Sequence, residues 1–230
     1  MFVIRAFRAV DFPDVCEKYI EGHRRVLLSV GVTEVTSAKH DWVHNPNAIV
    51  VLCQDELGEK VYGGARIHIE HPDYELPMVE ATKDMDSKII DLVKKYTDVG
   101  TGEFCGLWNS LEVAGMGIGA IYLIRACVAI IPKLNLKTLF ALCSPFTTRI
   151  AGRYSFFLDK SVGNEGTFYY PKLNLVASVV LLKDSYALDG AEENEKEIVL
   201  GLRKEPNQIR IEEHKGKTAE VRYELDVKGF

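Results

Sequence analysis

Apolar positions follow two rhythms along this chain. Alternation from Phe2 to Phe7 predicts a first strand. Asp11-Phe-Pro-Asp14 has the make-up of a helix start. Val15, Tyr19 and Ile20 then begin a helical stripe that runs through Arg24, Val26, Leu27 and Leu28 to Gly31. Residues 32–47 show neither rhythm and contain the breaker Asn45-Pro46-Asn47. Ile49 to Gln54 and Val61 to Ile69 read as a hairpin turning at Gly58. His71-Pro72 and Pro77 mark a loop, and Ile89, Ile90, Leu92 and Val93 a short helix. A strand follows at 104–111, then a glycine loop, an apolar helix over 118–131 and a buried strand at 138–143. Ser144-Pro145 is expected to start a helix reaching about Phe157, because serine caps and proline suits the first turn. Thr167 to Tyr170 and Leu175 to Lys183 read as two further strands.

Composition shifts near Asp184, which divides the chain into a main unit over 1–184 and an appendage over 185–230. The appendage holds a charged helix (Ala191 to Lys204) and a hairpin. The hairpin alternates Ile209 and Ile211 with Val221, Tyr223, Leu225 and Val227, across a His-Lys-Gly-Lys turn. It either extends the sheet or serves as a small oligomerisation element.

The 230 residues are 47% apolar and 27% charged, ordinary for a globular protein with one full core. A net charge of −5 gives no electrostatic reason to expect nucleic acid. Five scattered cysteines, mostly inside apolar runs, read as reduced core thiols and point to the cytoplasm. Arg5 and Arg8 interrupt the N-terminal apolar run, against a signal peptide. The 118–131 run contains Arg125, ends at Pro132 and is shorter than the ~20 residues of a membrane span, so no membrane is expected.

The segment richest in chemistry is Glu103 to Gly119, a strand that enters a loop with glycines at 115, 117 and 119 and opens into a helix. Glycines remove side chains where backbone amides must approach a ligand closely. A helix start offers unpaired N–H groups and the positive end of a dipole. Together these suit a phosphate or pyrophosphate.

Glu112-Val-Ala-Gly115-Met-Gly117-Ile-Gly119 resembles the acyl-coenzyme A loop of the GNAT (Gcn5-related N-acetyltransferase) superfamily, where a strand ends in a segment like Glu-Tyr-Arg-Gly-x-Gly-x-Gly. The element order from residue 2 to about 183 is similar too. The resemblance implies an α/β fold of α+β type: a mixed, largely antiparallel sheet flanked by helices, with a C-terminal helix and hairpin appended. It implies acyl transfer from acyl-CoA or acetyl-CoA to a small-molecule amine, with no metal. Ala114 stands where the family carries Arg or Gln, so only backbone amides would meet the pyrophosphate, which admits an acyl carrier protein as donor. The resemblance further assigns Leu107, Trp108, Asn109, Leu111 and Val113 to the thioester arm, and Gly115, Met116, Gly117, Ile118 and Gly119 to the pyrophosphate. Glu103 or Glu112 would take the amine proton. Tyr154 matches the family's late-helix tyrosine and would face the groove to protonate the leaving thiolate. The strand at 104–111 is expected beside that at 138–143, parallel, with the 118–131 helix as a buried right-handed crossover.

A weaker resemblance is to the autoinducer (acyl-homoserine-lactone) synthases of the same fold. Arg24 or Arg25, Asp41, Arg66 within Gly-Gly-Ala-Arg, and Glu103 match features of that branch, and Arg66 is the substrate-binding candidate. Cys105-Gly106 replaces the branch's Ser-Arg.

Other readings stand beside these. A catalytically silent acyl-CoA-binding module is compatible with Ala114. Gly115-Met-Gly117-Ile-Gly119-Ala120 also fits a dinucleotide fingerprint, but no acidic residue ends the next strand. His40-Asp-Trp-Val-His44 is near a zinc motif, but Asp replaces Glu and Asn45-Pro46 breaks the chain. Arg24 and Arg25 also read as a solvated helix face, and Tyr154 as a core aromatic beside Phe156 and Phe157.

Overall fold

The computed structural model describes residues 1–29, 31, 40–113, 119–170, 174–214 and 216–229. Strand β1 (Phe2–Arg8) leads through a 3-10 turn into helix α1 (Pro13–Ser29). Strands β2 (Ala48–Asp55) and β3 (Val61–Ile69) form the expected antiparallel hairpin. Helices α2 (Pro77–Thr82) and α3 (Lys88–Lys94) precede β4 (Gly102–Asn109), after which come α4 (Ala120–Ile130) and β5 (Leu139–Cys143). Helix α5 (Pro145–Gly152), strands β6 (Phe156–Leu158), β7 (Thr167–Tyr170) and β8 (Leu175–Leu182), helix α6 (Glu193–Lys204) and the hairpin β9 (Asn207–His214) and β10 (Lys217–Glu224) complete the chain.

The strands join one mixed sheet in the order β6-β8-β5-β4-β3-β2-β1-β10-β9, with β7 also on β8. Two neighbouring pairs are parallel, β4 with β5 and β1 with β10; the others are antiparallel. Helix α4 connects β4 to β5, and its residues Ile121 to Ile130 are all buried, as an all-round apolar helix requires. It lies on one face, against Ile49, Val51, Ala65, Ile67 and Phe104. The other face carries Tyr19, Trp42 and Trp108 near α1, and Met78, Ile89 and Phe140 near α2 and α3. A fold with a single parallel sheet, as the dinucleotide reading needs, is not what these strands form.

Residues 185–230 continue this sheet and core. Phe2↔Val221 and Ile4↔Tyr223 are register pairs, and Val199, Leu202, Val221, Tyr223 and Leu225 belong to the same buried cluster as α4.

Two elements depart from the sequence reading. The helix after Ser144 stops at Gly152 instead of Phe157. Ser144 caps it by accepting from the Thr147 N–H at 3.3 Å, but Ser155 turns the chain at φ 69°, and Phe156 to Leu158 pair with β8. Helix α2 lies in a stretch that reads as loop. Its N-cap Leu76 has no side-chain acceptor; the Glu103 carboxylate, 25 residues on, accepts the Met78 N–H at 2.7 Å. Pro77 opens this helix, where the sequence reading took it as a loop marker; its cap is distant and leaves no local signal.

Candidate functional site

The site begins with an irregularity in β4. Gly64 pairs with Trp108 and Arg66 with Cys105, so Ala65 of β3 faces both Gly106 and Leu107. This is a β-bulge, and Gly106 holds it at φ 60°, a conformation that favours glycine. A side chain there would also collide: a Cβ would lie 2.5 Å from the Tyr19 hydroxyl and 3.1 Å from the Arg66 guanidinium. The Tyr19 hydroxyl donates to the Gly106 carbonyl and fixes the bulge against α1.

Bulges bend the strand that carries them. Among the described residues, Glu103↔Phe140 is the only register pair between β4 and β5. From Phe104 to Asn109, β4 keeps β3 on one side and diverges from β5 on the other. The divergence points at the start of α4. Asn109, with its amide oriented to satisfy both neighbours, accepts from the Ala120 N–H at 2.6 Å and donates to the Trp108 carbonyl at 3.1 Å. Gly119 is the N-cap, with no side-chain cap and no acidic residue in the first turn. Ala114, Gly115, Met116, Gly117 and Ile118 lie outside the described residues.

The other sequence candidates are distributed around this opening. Leu107 and Asn109 are half-buried, Trp108 and Val113 buried, and Leu111 exposed. Strand β4 ends at Asn109, so Leu111 to Val113 form a 3-10 turn and not the end of the strand. Glu112 is exposed on that turn, its N–H donating to Ser110 Oγ at 3.2 Å. A cleft of about 140 Å³ separates this turn from the end of α1, floored by Trp108 and bordered by Gly22 and Arg25. Gly22 allows the contact, since a Cβ there would meet the Trp108 ring at 2.1 Å.

Glu103 stands at the point where β4 and β5 part, only 2% exposed. Burial pushes its carboxyl up to about 8, offset in part by the Met78 N–H and the Arg66 charge. His68 is its cross-strand partner; its Nε2 is buried with no hydrogen-bond partner among the described residues. Burial, with the nearby Arg66 charge, holds His68 well below the usual imidazole range, so it is neutral. Arg66 is fully buried on the same face. Its guanidinium lies 4.3 Å from the Trp42 ring centre and 5.6 Å from that of Tyr19, with Nη2 3.8 Å from Cys105 Sγ. Glu103, Arg66, His68 and Cys105 thus cluster on the α1 side of the opening.

Tyr154 is buried and not open to a ligand, its hydroxyl also 3.3 Å from the Ile121 carbonyl in the first turn of α4. The tyrosine follows the end of α5, is 1% exposed, and donates to Glu195 Oε2 at 2.7 Å. Burial and then the Glu195 charge push its phenol far above the usual range. The expected groove orientation is corrected: Tyr154 belongs to a network on the α4 side. There Arg125 grips Glu195 at 2.7 and 3.1 Å and Glu212 at 2.6 Å, Arg153 reaches Glu195 at 2.9 Å, and Tyr223 donates to Glu212 at 2.8 Å. The one sequence signal was Arg125 itself, a lone charge in an apolar helix. His68 and the Gly106 bulge left none. Arg24 and Arg25 are exposed and approach Glu21, Asp41 is exposed, and so are His40 and His44. No group of three His, Cys, Asp or Glu placed to hold a metal occurs among the described residues.

A bulged β4 diverging from a parallel β5, with the intervening helix starting at the opening, defines a GNAT-like fold. Solved structures that share it include the following three. FeeM, an N-acyl amino acid synthase from uncultured soil microbes, superposes with a TM-score of 0.62 over 85% of this chain and 97% of its own, at 14% identity. BjaI, a CoA-dependent acyl-homoserine lactone synthase solved with SAM and isopentyl-CoA, gives 0.57 over 86% and 90% at 11% identity. The acyl-homoserine-lactone synthase LasI gives 0.56 over 83% and 96% at 14% identity. No protein-family model and no curated protein sequence matches the chain.

Proposed function

We propose that this protein is an N-acyltransferase that moves an acyl group from a thioester, acyl-CoA or an acyl carrier protein, to a small-molecule amine. The observation that carries the reading is the divergence of β4 from β5 beyond Glu103↔Phe140, which leaves a strand edge facing an opening at the start of α4. A thioester arm fits such an edge because it can accept and donate backbone hydrogen bonds as a strand would. Structural neighbours that act on acyl donors, one of them solved with isopentyl-CoA, support the assignment. Five free thiols, four of them buried, support a reducing cytoplasmic setting.

In this reading the thioester carbonyl accepts from a backbone N–H of β4 between Phe104 and Asn109, which stabilises the developing oxyanion. The amine attacks from the α1 side. Glu103, as carboxylate, takes the proton that nitrogen must lose. The tetrahedral intermediate collapses to an amide, the C–S bond breaks, and the thiolate takes its proton back from Glu103 or from water. Arg66, on the same face, stays the candidate for orienting the acceptor. The first helical amides of α4, with the residues at 114–118, are the proposed pyrophosphate contact.

One observation favours the silent donor-binding alternative: Glu103 is 2% exposed and already occupied by the Met78 N–H. The two readings separate in one experiment. Acetyl-, hexanoyl- and dodecanoyl-CoA, and the matching carrier-protein thioesters, are incubated with a panel of amines including amino acids. Free thiol release and amide formation by mass spectrometry are followed. Amine-dependent turnover supports the transferase; saturable donor binding without any amide product supports the silent module.

A further inference from the structure

Far from that opening, three strands away from β4 in the sheet, the edge between β1 and the C-terminal segment holds a cleft of about 560 Å³. That size falls in the range of small-molecule sites. Its charges balance on paper, but not in contact. Asp11 is 3.9 Å from Arg8, Glu224 is 2.9 Å from Arg222, and Asp226 pairs with Lys133. Each lining carboxylate therefore already holds a cation. Arg5 and Lys228 also line the cleft, and neither has a carboxylate within 4.0 Å among the described residues. The Arg5 guanidinium instead rests on two rings, 5.0 Å from the Phe7 centre and 4.8 Å from Phe12. A planar cation held on aromatic faces keeps its N–H edge free for an anion and loses little side-chain freedom on binding one. Phe12 is exposed, so an apolar group can lie beside that anion.

We propose that this cleft is a second ligand site, independent of acyl transfer, for a small organic anion: a carboxylate or phosphate attached to a flat or apolar group. The anion would take the edge of Arg5, with Lys228 as the second positive charge, and the apolar part would cover Phe12.

Calorimetric titration of the full chain with AMP, with benzoate and with uncharged adenosine tests this and separates the two anion sources. At least one anion should saturate, while adenosine should not. Arg5→Gln should weaken that anion at least about tenfold, the loss of a charge-assisted hydrogen bond, and Lys228→Gln by about threefold. Lys228 lies in the C-terminal tail, so its variant keeps the test alive if Arg5→Gln folds poorly. The proposal is overturned if neither anion saturates by about 10 mM, an affinity too weak to matter, if adenosine binds as well as AMP, or if both variants bind as the parent does. AMP held at the acyl-donor opening gives that last result.

Discussion

The two faces of the sheet each bury a cluster of charged and aromatic side chains, and the clusters differ in how completely their members satisfy one another. On the α4 face, Glu195 receives Arg125, Arg153 and the Tyr154 hydroxyl. Burial raises its carboxyl, but these partners outweigh burial and leave it below the usual range. On the α1 face, Glu103 receives one backbone N–H, and burial prevails, lifting it to about 8. His68 beside it retains a buried nitrogen without a partner among the described residues. The same residue types thus serve two ends. A saturated network fixes α6 and β9 to α4, whereas an unsaturated one keeps a carboxyl poised to exchange a proton near neutral pH.

The largest expected effect comes from removing only the poised carboxyl. Glu103→Gln keeps an acceptor for the Met78 N–H, so the variant should fold, while single-turnover acyl transfer falls by the ~10²–10⁴-fold of a lost general base. A rate near the parent's would erase the distinction between the faces. In the saturated cluster the effect should appear in stability. Arg125→Ala takes their shared guanidinium from buried Glu195 and Glu212, leaving Glu195 with Arg153 and Tyr154 and Glu212 with Tyr223, and should destabilise by about 3 kcal/mol in denaturant melts. Tyr154→Phe removes one hydrogen bond to a charged group, about 1.5–3 kcal/mol. Its acyl-transfer rate should stay within about twofold, far from a general-acid loss. Gly106→Ala forces a Cβ into a left-handed position against Tyr19 and should lose about 1–3 kcal/mol, with the bulge disturbed.

A further difference is in pH dependence, where the two carboxyls have opposite sign. Glu103 titrates higher in the fold than its ordinary 4.5, so its contribution to stability is complete below that value and is lost as pH rises through about 8. Glu195 titrates lower in the fold, so its contribution is present above 4.5 and is lost as pH falls through its depressed value. Melts of Glu103→Gln should therefore lack the parent's decline between about pH 5 and 8. The parent's kcat/KM should rise over the same window as the base ionises.

Most of the fold was legible because its elements are local. Alternation marked β1, short apolar runs marked the β2–β3 hairpin and β8, and the all-apolar run marked α4 as the buried link between two parallel strands. What escaped was long-range. Helix α2 depends on Glu103, and Tyr154 is drawn to the α4 face by Glu195, 41 residues away. The Arg125 network spans separations of 70 and 87 residues, beyond any local pattern. At the site, Glu103 and the β4 edge were visible as a resemblance. The bulge was not, because a glycine in a strand does not announce its φ, and the register that exposes it belongs to β3.

The central claim is that the divergent edge of β4 holds the acyl donor, and backbone amide NMR tests it most directly. The labelled protein is titrated with a thioether analogue of acyl-CoA that cannot react. The account predicts saturable shifts concentrated in Phe104 to Asn109 and the first turn of α4 from Ala120, with loss of exchange at the β4 amides. Saturable binding that leaves those amides unmoved, or no binding at all by both the CoA and the carrier-protein analogue, would contradict it.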